Sequence, residues 1–202
     1  MSSAKKKLER SEVWLHVVSP EYLGGKTVGN MLVYSDEEPT GGEVNVLQSD
    51  LTEDPAHAYT KIKLKVSDVS GDRANTQYVG HEVSRDYVRS VLRKGSSKIE
   101  PIVDVITKDG YKFRVRVTMI SRNKVSTRKK TFLSNQLAQM MAEKCSAYKL
   151  PQLVQEIVSG KTESDIFNFA KKHMRVKYAG VTKMKLLSSP GEKPKELAKE
   201  VA

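Results

Sequence analysis

A run of one-sign charge lies between Asp109 and Glu143. This stretch contains no carboxylate and eight cations, which are Lys112, Arg114, Arg116, Arg122, Lys124, Arg128, Lys129 and Lys130. Protein surfaces ordinarily mix charges of both signs, so a run of this kind creates a local field that attracts a polyanion. The chemistry open to these side chains is the binding of phosphate groups, and nucleic acid is the first candidate ligand.

The charge of the chain is segregated along the sequence. Residues 11–60 contain nine acids and one base, whereas residues 85–130 contain fourteen bases and four acids and so carry most of the net charge of +11. A basic patch in a chain with a pI of about 9.6 is typical of proteins that bind nucleic acid. The acidic segment is interpreted as a solvated face or a contact for a basic partner.

A predicted helix over residues 84–94 adds a second basic feature. Ser84 is a candidate N-cap, Asp86 lies in the first turn, and Gly95 is a candidate C′ residue. The predicted buried stripe is Val88, Val91 and Leu92. Three arginines recur at i, i+4 and i+8 and rise by about 6 Å per step, roughly the distance between successive phosphates. Taken alone, this ridge fits the solvated side of an amphipathic helix equally well.

The candidate nucleic-acid contacts combine this ridge with the neighbouring cations. They are Arg85, Arg89, Arg93, Lys94, Lys98, Lys112, Arg114, Arg116, Arg122, Lys124, Arg128, Lys129 and Lys130. The four Phe, one Trp and eight Tyr residues offer no evident array for base stacking. Phosphate contacts should therefore dominate, and the affinity should fall steeply as the salt concentration rises.

Catalytic motifs find little support. Gly24–Thr27 resembles the end of a phosphate-binding loop, but the position that requires the first glycine is Pro20, which has no N–H to donate. His81, Ser84 and Asp86 supply the residue types of a catalytic triad, yet the start of a capped helix explains the same residues. Catalysis by these residues is therefore not expected.

Metal binding and membrane insertion are not expected either. Cys145 is the only cysteine and should pack as a small hydrophobe in a helix, and the four histidines lie far apart in sequence. No apolar stretch approaches the ~20 residues of a membrane span, and no secretory signal core follows the basic first ten residues. The sequence predicts a cytosolic protein without a metal site.

The hydrophobic pattern predicts an α+β fold. The predicted strands within residues 12–120 are Val13–Val18, Val44–Leu47, Lys61–Val66 and Ala74–Val79, with a loop at Ser35–Gly42. Lys61–Val66 alternates strictly, which places its apolar residues on one face and three lysines on the other. An antiparallel, barrel-like sheet with one inserted helix at residues 84–94 fits this pattern.

The hairpin at residues 102–120 admits two registers. A two-residue turn at Asp109–Gly110 would place Asp104 on the apolar face. A three-residue loop with Gly110 in the left-handed conformation instead pairs Asp104 with Arg114 and puts the cations on the opposite face from the valines. We adopt the second register.

Residues 131–173 are predicted to be mainly helical. The predicted buried positions are Leu133, Leu137, Met140, Met141, Cys145, Leu153, Val154, Ile157, Val158, Ile166, Phe169 and Ala170. A second helix starts at Leu150–Pro151, and a capping box at Thr162 and Asp165 starts a third. A strand at residues 175–187 returns to the sheet, giving one domain over residues 12–187. Residues 1–11 and 188–202 lack an apolar face and are predicted to be disordered tails.

Two central segments carry a resemblance to a known family. They are Gly80–Lys94 and Ile102–Tyr111, and supporting matches are Trp14 with Ser19–Pro20, Asp68–Gly71 and Val181–Leu187. Over about residues 12–187 the chain closely resembles the S-three-a-e (S-one-e) family of archaeal and eukaryotic small-subunit ribosomal proteins.

The resemblance implies a structural protein of the small ribosomal subunit that binds its rRNA. Its implied location is the platform near the mRNA exit region, with neighbouring ribosomal proteins as partners and mRNA as a further candidate partner. It implies neither enzyme activity nor a cofactor. The residues themselves leave two alternatives open, which are a free RNA-binding regulatory protein acting off the ribosome and an RNA-modifying or hydrolytic enzyme. An enzyme would need a concave site with convergent polar groups of perturbed pKa.

Overall fold

The computed structural model describes residues 12–34 and 40–190. In chain order the elements are β1 (Glu12–Val18), β2 (Thr27–Tyr34), β3 (Glu43–Leu47), α1 (Gln48–Thr52), β4 (Thr60–Ser70), β5 (Arg73–Val83), α2 (Arg85–Val91), β6 (Lys98–Ile99), β7 (Ile102–Ile106), β8 (Lys112–Ser121), α3 (Thr127–Ala147), α4 (Leu150–Val158), α5 (Lys161–His173) and β9 (Val176–Ser188). Residues 1–11 and 191–202 of the predicted tails, and residues 35–39 of the predicted loop, lie outside the described ranges. No described helix is both long enough and apolar enough to cross a bilayer.

Within the described residues, nine strands form one open sheet. Strand β4 pairs along one edge of β5, while β1 and β9 pair with the two halves of its other edge. Strand β8 follows β9, and β6 and β7 pair with the far edge of β8. Only the short β1–β5 pairing is parallel.

The predicted α+β class is confirmed, although the sheet does not close into a barrel. The outermost strands are β3 on one side and β2, β6 and β7 on the other, and no pairing between described residues joins the two sides. Helix α3 packs against β7 instead. A helix over an edge strand blocks further pairing there, which keeps the sheet open.

The main core lies between the inner face of the sheet and the three C-terminal helices. Its largest fully buried side chains include Tyr78, Phe113, Leu133, Leu137, Met141, Leu153 and Ile166. Each leucine-sized side chain contributes about 1.5–3 kcal/mol by leaving water. Cys145 packs among them as predicted, and burial raises the pKa of its thiol to about 11. Four other positions predicted to be buried are only half-buried, namely Met140, Ile157, Val158 and Phe169.

The predicted register of the β7–β8 hairpin is confirmed. Asp104 pairs with Arg114. The Thr107 N–H donates to the Tyr111 carbonyl oxygen at 2.9 Å, which closes a three-residue loop. Gly110 has φ 82°, the left-handed conformation that this loop requires. The cations of β8 therefore face away from the core.

Helix α2 is shorter than predicted. It ends at Val91, so that residues 92–95 lie beyond it and only two of the three arginines are helical. The Lys177 ammonium group donates to the Val91 carbonyl oxygen, and Leu92 adopts extended backbone, which together end the helix. The predicted buried stripe is wrong, because Leu92 is 39% exposed and no α2 residue is buried.

Aromatic contacts hold α2 on the sheet instead. The Tyr87 ring stacks on Tyr59 with centroids 3.8 Å apart, and it meets Tyr178 of β9 edge-on at 5.8 Å. Ser84 occupies the predicted N-cap position, but its side chain makes no capping hydrogen bond. A single tyrosine therefore replaces the predicted aliphatic stripe.

Two other helix starts differ from prediction. Helix α3 begins at Thr127, so that residues 128–130 form its first turn rather than preceding it. Helix α5 begins directly after Gly160, which has φ 74° and occupies the N-cap position. Thr162 is fully buried inside α5. The predicted capping box is therefore wrong, because the short connection from α4 leaves the glycine at the helix start.

Candidate nucleic-acid interface

The outward face of the sheet carries rows of cations. Side chains of directly paired residues share a face, so Arg116 of β8 lies beside Lys183 of β9. Lys183 lies opposite Glu82 of β5, which lies opposite Lys61 of β4. The cations of this face are Lys61, Lys63, Lys65, Lys112, Arg114, Arg116, Lys183 and Lys185.

Strand pairing adds five cations to the three that the sequence placed in the site. The alternation of Lys61–Val66 had placed the β4 lysines on one face, and the lysines of β9 alternate in a similar way. Neither pattern says which strands are neighbours. The pairing of β4, β5, β9 and β8 supplies that information.

Carboxylates neutralise part of this face. Asp104 accepts two hydrogen bonds from Arg114, from Nε at 2.7 Å and from Nη2 at 2.9 Å. These hydrogen bonds lower the pKa of Asp104. Glu82 lies between Lys63 at 3.5 Å and Lys183 at 3.1 Å. The Arg114 guanidinium is thus already engaged within the protein. No acid among the described residues lies within 4.0 Å of the Arg116 guanidinium.

A cavity of about 310 Å³ opens where α2 meets this face. Its cationic lining residues are Arg85, Arg89, Lys98, Arg116 and Lys183. Glu100, also in the lining, pairs with Lys98 at 2.6 Å. Arg89 lies 3.9 Å from Asp86, but both side chains are highly exposed, so this pair is weak. The cavity brings four predicted contacts together from α2, β6 and β8.

Hydrogen bonds connect this cavity to a second basic region. The Ser97 N–H donates to the Ser121 hydroxyl at 3.0 Å, and the Ser121 N–H donates to the Ser97 carbonyl oxygen at 2.9 Å. The Val125 N–H donates to the Ser97 hydroxyl at 3.0 Å. The loop that carries Arg93 and Lys94 therefore ends against the segment that carries the cations after β8.

The second basic region contains two adjoining grooves that share Met174 and Arg175. One groove, of about 300 Å³, is lined by Ser121, Asn123, Lys124, Val125, Ser126, Lys129, Met174 and Arg175. The other, of about 620 Å³, is lined by Arg122, Phe167, Lys171, Lys172, His173, Met174, Arg175 and Val176. Neither lining contains a carboxylate. Lys171, Lys172 and Arg175 were not predicted as contacts, because they lie 40 residues or more after the predicted basic run.

The first turn of α3 adds Arg128 and Lys130 beside Lys129. Cations at a helix N-terminus oppose the helix dipole, so their position carries an electrostatic cost unless an anion is bound nearby. Among the described residues, no acid lies within 4.0 Å of the cationic group of Arg122, Lys124, Arg128, Lys129, Lys130, Lys171, Lys172 or Arg175. Their charge is therefore available to an external polyanion.

Other chemically active residues are engaged within the fold. The His81 ring nitrogens are hydrogen-bonded to the Tyr78 hydroxyl at 2.7 Å and the Val181 carbonyl oxygen at 3.1 Å. Desolvation lowers the His81 pKa to about 4. Lys26 of the glycine-rich turn contacts Glu53 and the Leu51 carbonyl oxygen. His81 and Lys26 are thus committed to internal contacts.

Comparison with known proteins identifies relatives of this chain. The model of the ribosomal S3Ae family matches residues 3–190. Small ribosomal subunit protein eS1 of Saccharolobus solfataricus is 35% identical over 177 residues, which cover 88% of this chain and 85% of that protein. The protein of the same name from Pyrobaculum neutrophilum is 31% identical over 189 residues, covering 94% and 85%. That of Methanothrix thermoacetophila is 32% identical over 193 residues, covering 95% and 92%.

Proposed function

The chain belongs to the ribosomal S3Ae family, and from this premise we propose that it is a structural protein of the small ribosomal subunit that binds the rRNA of that subunit. The observation that carries the proposal is the basic surface that runs from the α2 cavity to the two grooves beside Arg175. Its acid-free grooves match the negative charge of folded RNA, and phosphate contacts position RNA without reading its sequence.

The proposed role is binding within translation rather than catalysis. The proposed location is the platform near the mRNA exit region, in cytoplasmic ribosomes, with neighbouring small-subunit proteins as further partners and mRNA as a candidate partner. The proposal keeps all the contacts predicted from the sequence, with one distinction. Unpaired cations such as Arg116 and Arg122 should contribute more than Arg114 and Lys98, whose charges are partly neutralised by acids.

Gradient sedimentation tests this function. A tagged full-length chain is expressed in its native host cells. It should sediment with the small ribosomal subunits and dissociate from them only at high salt. The double substitution Arg116→Glu and Arg175→Glu should move the protein to the top of the gradient. A matched control, Arg73→Glu with Lys161→Glu, changes the charge equally at exposed residues outside the basic surface and should leave incorporation intact.

Circular dichroism of both purified variants checks that each remains folded. Normal incorporation of the Arg116→Glu, Arg175→Glu variant would exclude this surface from rRNA binding. If the unaltered chain binds RNA but never sediments with subunits, a free RNA-binding regulator becomes the better explanation.

A further inference from the structure

The larger groove beside Arg175 differs from the rest of the basic surface, because an aromatic ring lines it. Phe167 is 38% exposed and lies in the lining with Arg122, Lys171, Lys172 and Arg175. Phe167 and Lys171 are one turn apart on α5, so they lie on the same side of the helix. A large apolar side chain is thus kept in water among cations.

Further rings adjoin the groove. The ring of His173, also in the lining, lies 5.1 Å from Phe169 and 5.9 Å from Phe132, measured between centroids. Phe132 of α3 is 50% exposed. Two exposed phenylalanines therefore lie at the groove. Phe167 is part of its lining, and Phe132 contacts the lining residue His173.

The floor of the groove is fixed by the backbone. The Arg122 N–H donates to the Arg175 carbonyl oxygen at 2.8 Å, and the Met174 N–H donates to the Ala170 carbonyl oxygen at 2.9 Å. The segment after β8, the end of α5 and the start of β9 are thereby held together. The aromatic and cationic side chains project from a connected framework.

Double-stranded RNA would not use this combination. In a duplex the bases are stacked on each other, and a protein contacts phosphates and 2′-hydroxyls, for which cations and polar groups suffice. An unpaired base has free faces, and aromatic side chains beside a positively charged groove are the usual means of binding it. The cavity of about 620 Å³ lies within the range of small-ligand sites, about 300–1,000 Å³.

We propose that this groove holds an unpaired nucleotide of single-stranded RNA, with its base stacked on Phe167 and its flanking phosphates on Arg122, Lys172 and Arg175. The adjoining groove, with Lys124 and Lys129, continues the path for the phosphate backbone. This proposal rests on the proposed RNA-binding function and deepens it by naming single-stranded RNA as the ligand of this part of the surface.

Binding measurements with three labelled RNA ligands test the proposal. The ligands are a ten-nucleotide single strand, the same strand with abasic residues in place of its nucleotides, and a blunt-ended duplex of the strand with its complement, which has no unpaired base. The Phe167→Ala variant of the full chain should bind the single strand about 5- to 160-fold more weakly, the range found for loss of one stacked base. Its affinity for the abasic strand and the duplex should be unchanged.

Two controls separate stacking from charge and from folding. Leu32→Ala removes a similarly exposed apolar side chain, 36% exposed on the edge strand β2, which carries no cation, and should change no affinity. Arg175→Gln should weaken binding of all three ligands, because each carries phosphates. Ultraviolet cross-linking of the unaltered complex, read by mass spectrometry, should place the cross-linked base at Phe167.

Each failure has a distinct meaning. Equal binding of the native and abasic strands by the unaltered chain would overturn base stacking. An acidic protein segment would then be the better candidate ligand of the groove. An equal loss of all three ligands in Phe167→Ala would also overturn it, because the ring would then act through folding. If the unaltered chain binds none of the three ligands, the proposed function itself fails.

Discussion

Glu163 provides a quantitative test of how α5 packs on the sheet. This acid lies in the first turn of α5, and its Oε1 lies 2.8 Å from the point where a Cβ on Gly180 of β9 would stand. Desolvation raises the pKa of Glu163 from 4.5 to about 7. Tyr178 and Tyr59 are near enough for their pKa values to be raised in part by Glu163. Folding therefore favours the protonated carboxyl group.

The sign of the pH dependence follows from this shift. Below pH 4.5 Glu163 is protonated in both states, and between about pH 4.5 and 7 the folded state binds the additional proton. The free energy of unfolding therefore falls as the pH rises through this window. At about 1.4 kcal/mol per pH unit, the full effect is about 3 kcal/mol or less.

The variant Glu163→Gln removes the titrating group and keeps a similar shape. Relative to the unaltered chain, it should gain about 2–3 kcal/mol in free energy of unfolding between pH 4.5 and pH 8. Urea denaturation at several pH values measures this difference. His81 titrates in the opposite direction, because its pKa falls to about 4, but it does so in both proteins and cancels in the comparison.

A matched control is Glu43→Gln, which removes an exposed carboxyl group on the edge strand β3. Its stability relative to the unaltered chain should not change with pH in this window. A difference between Glu163→Gln and the unaltered chain that stays constant from pH 4.5 to 8 would refute the raised pKa of the half-buried Glu163 and the packing of α5 from which it follows.

Two pairs of substitutions test the sheet and its outward face. Gly80→Ala would place a Cβ 2.1 Å from a carbonyl oxygen of β9 and should destabilise the protein by about 3 kcal/mol or more in urea denaturation, whereas Gly29→Ala, with nothing within 4 Å, should not. Asp104→Asn releases Arg114 and should steepen the dependence of log affinity on log salt concentration by about 0.7–0.9, and Arg116→Gln should reduce it by the same amount. If neither Asp104→Asn nor Arg116→Gln changes the dependence of log affinity on log salt concentration, this face is not part of the RNA interface.

Local patterns in the sequence identified much of the fold. The alternation of β4 and the turn chemistry of Gly110 predicted the exposed lysines and the hairpin register, because both depend on residues close together in the chain. The apolar period of α3 likewise predicted its buried face. These features have local physical causes, so a single sequence is enough to predict them.

Features that depend on distant contacts were missed or wrong. Strand β2 contains Gly29 and Asn30, which are poor strand formers, and it is held by pairing with β1. Helix α2 ends early because Lys177, 86 residues away, donates to its last carbonyl group. A local sequence pattern does not show that β1 pairs with β2 or that Lys177 contacts α2.

The candidate interface shows the same division. The charge run located Arg122 and Lys129 but not Lys171 or Arg175, which complete the two grooves only after α5 returns to the start of β9. The exposed position of Phe167 in a cationic groove could not be predicted from the sequence either. The sequence gives the type of chemistry, whereas the strand order and helix packing determine which cations act together.

Cross-linking of purified small subunits tests the central claim most directly. Protein–RNA cross-links located by mass spectrometry should concentrate at the α2 cavity and the two grooves, with Arg85, Arg116, Arg122 and Arg175 in cross-linked peptides. The acidic segment before β4 should give none. Cross-links confined to that segment, with the basic surface uncross-linked, would contradict the account.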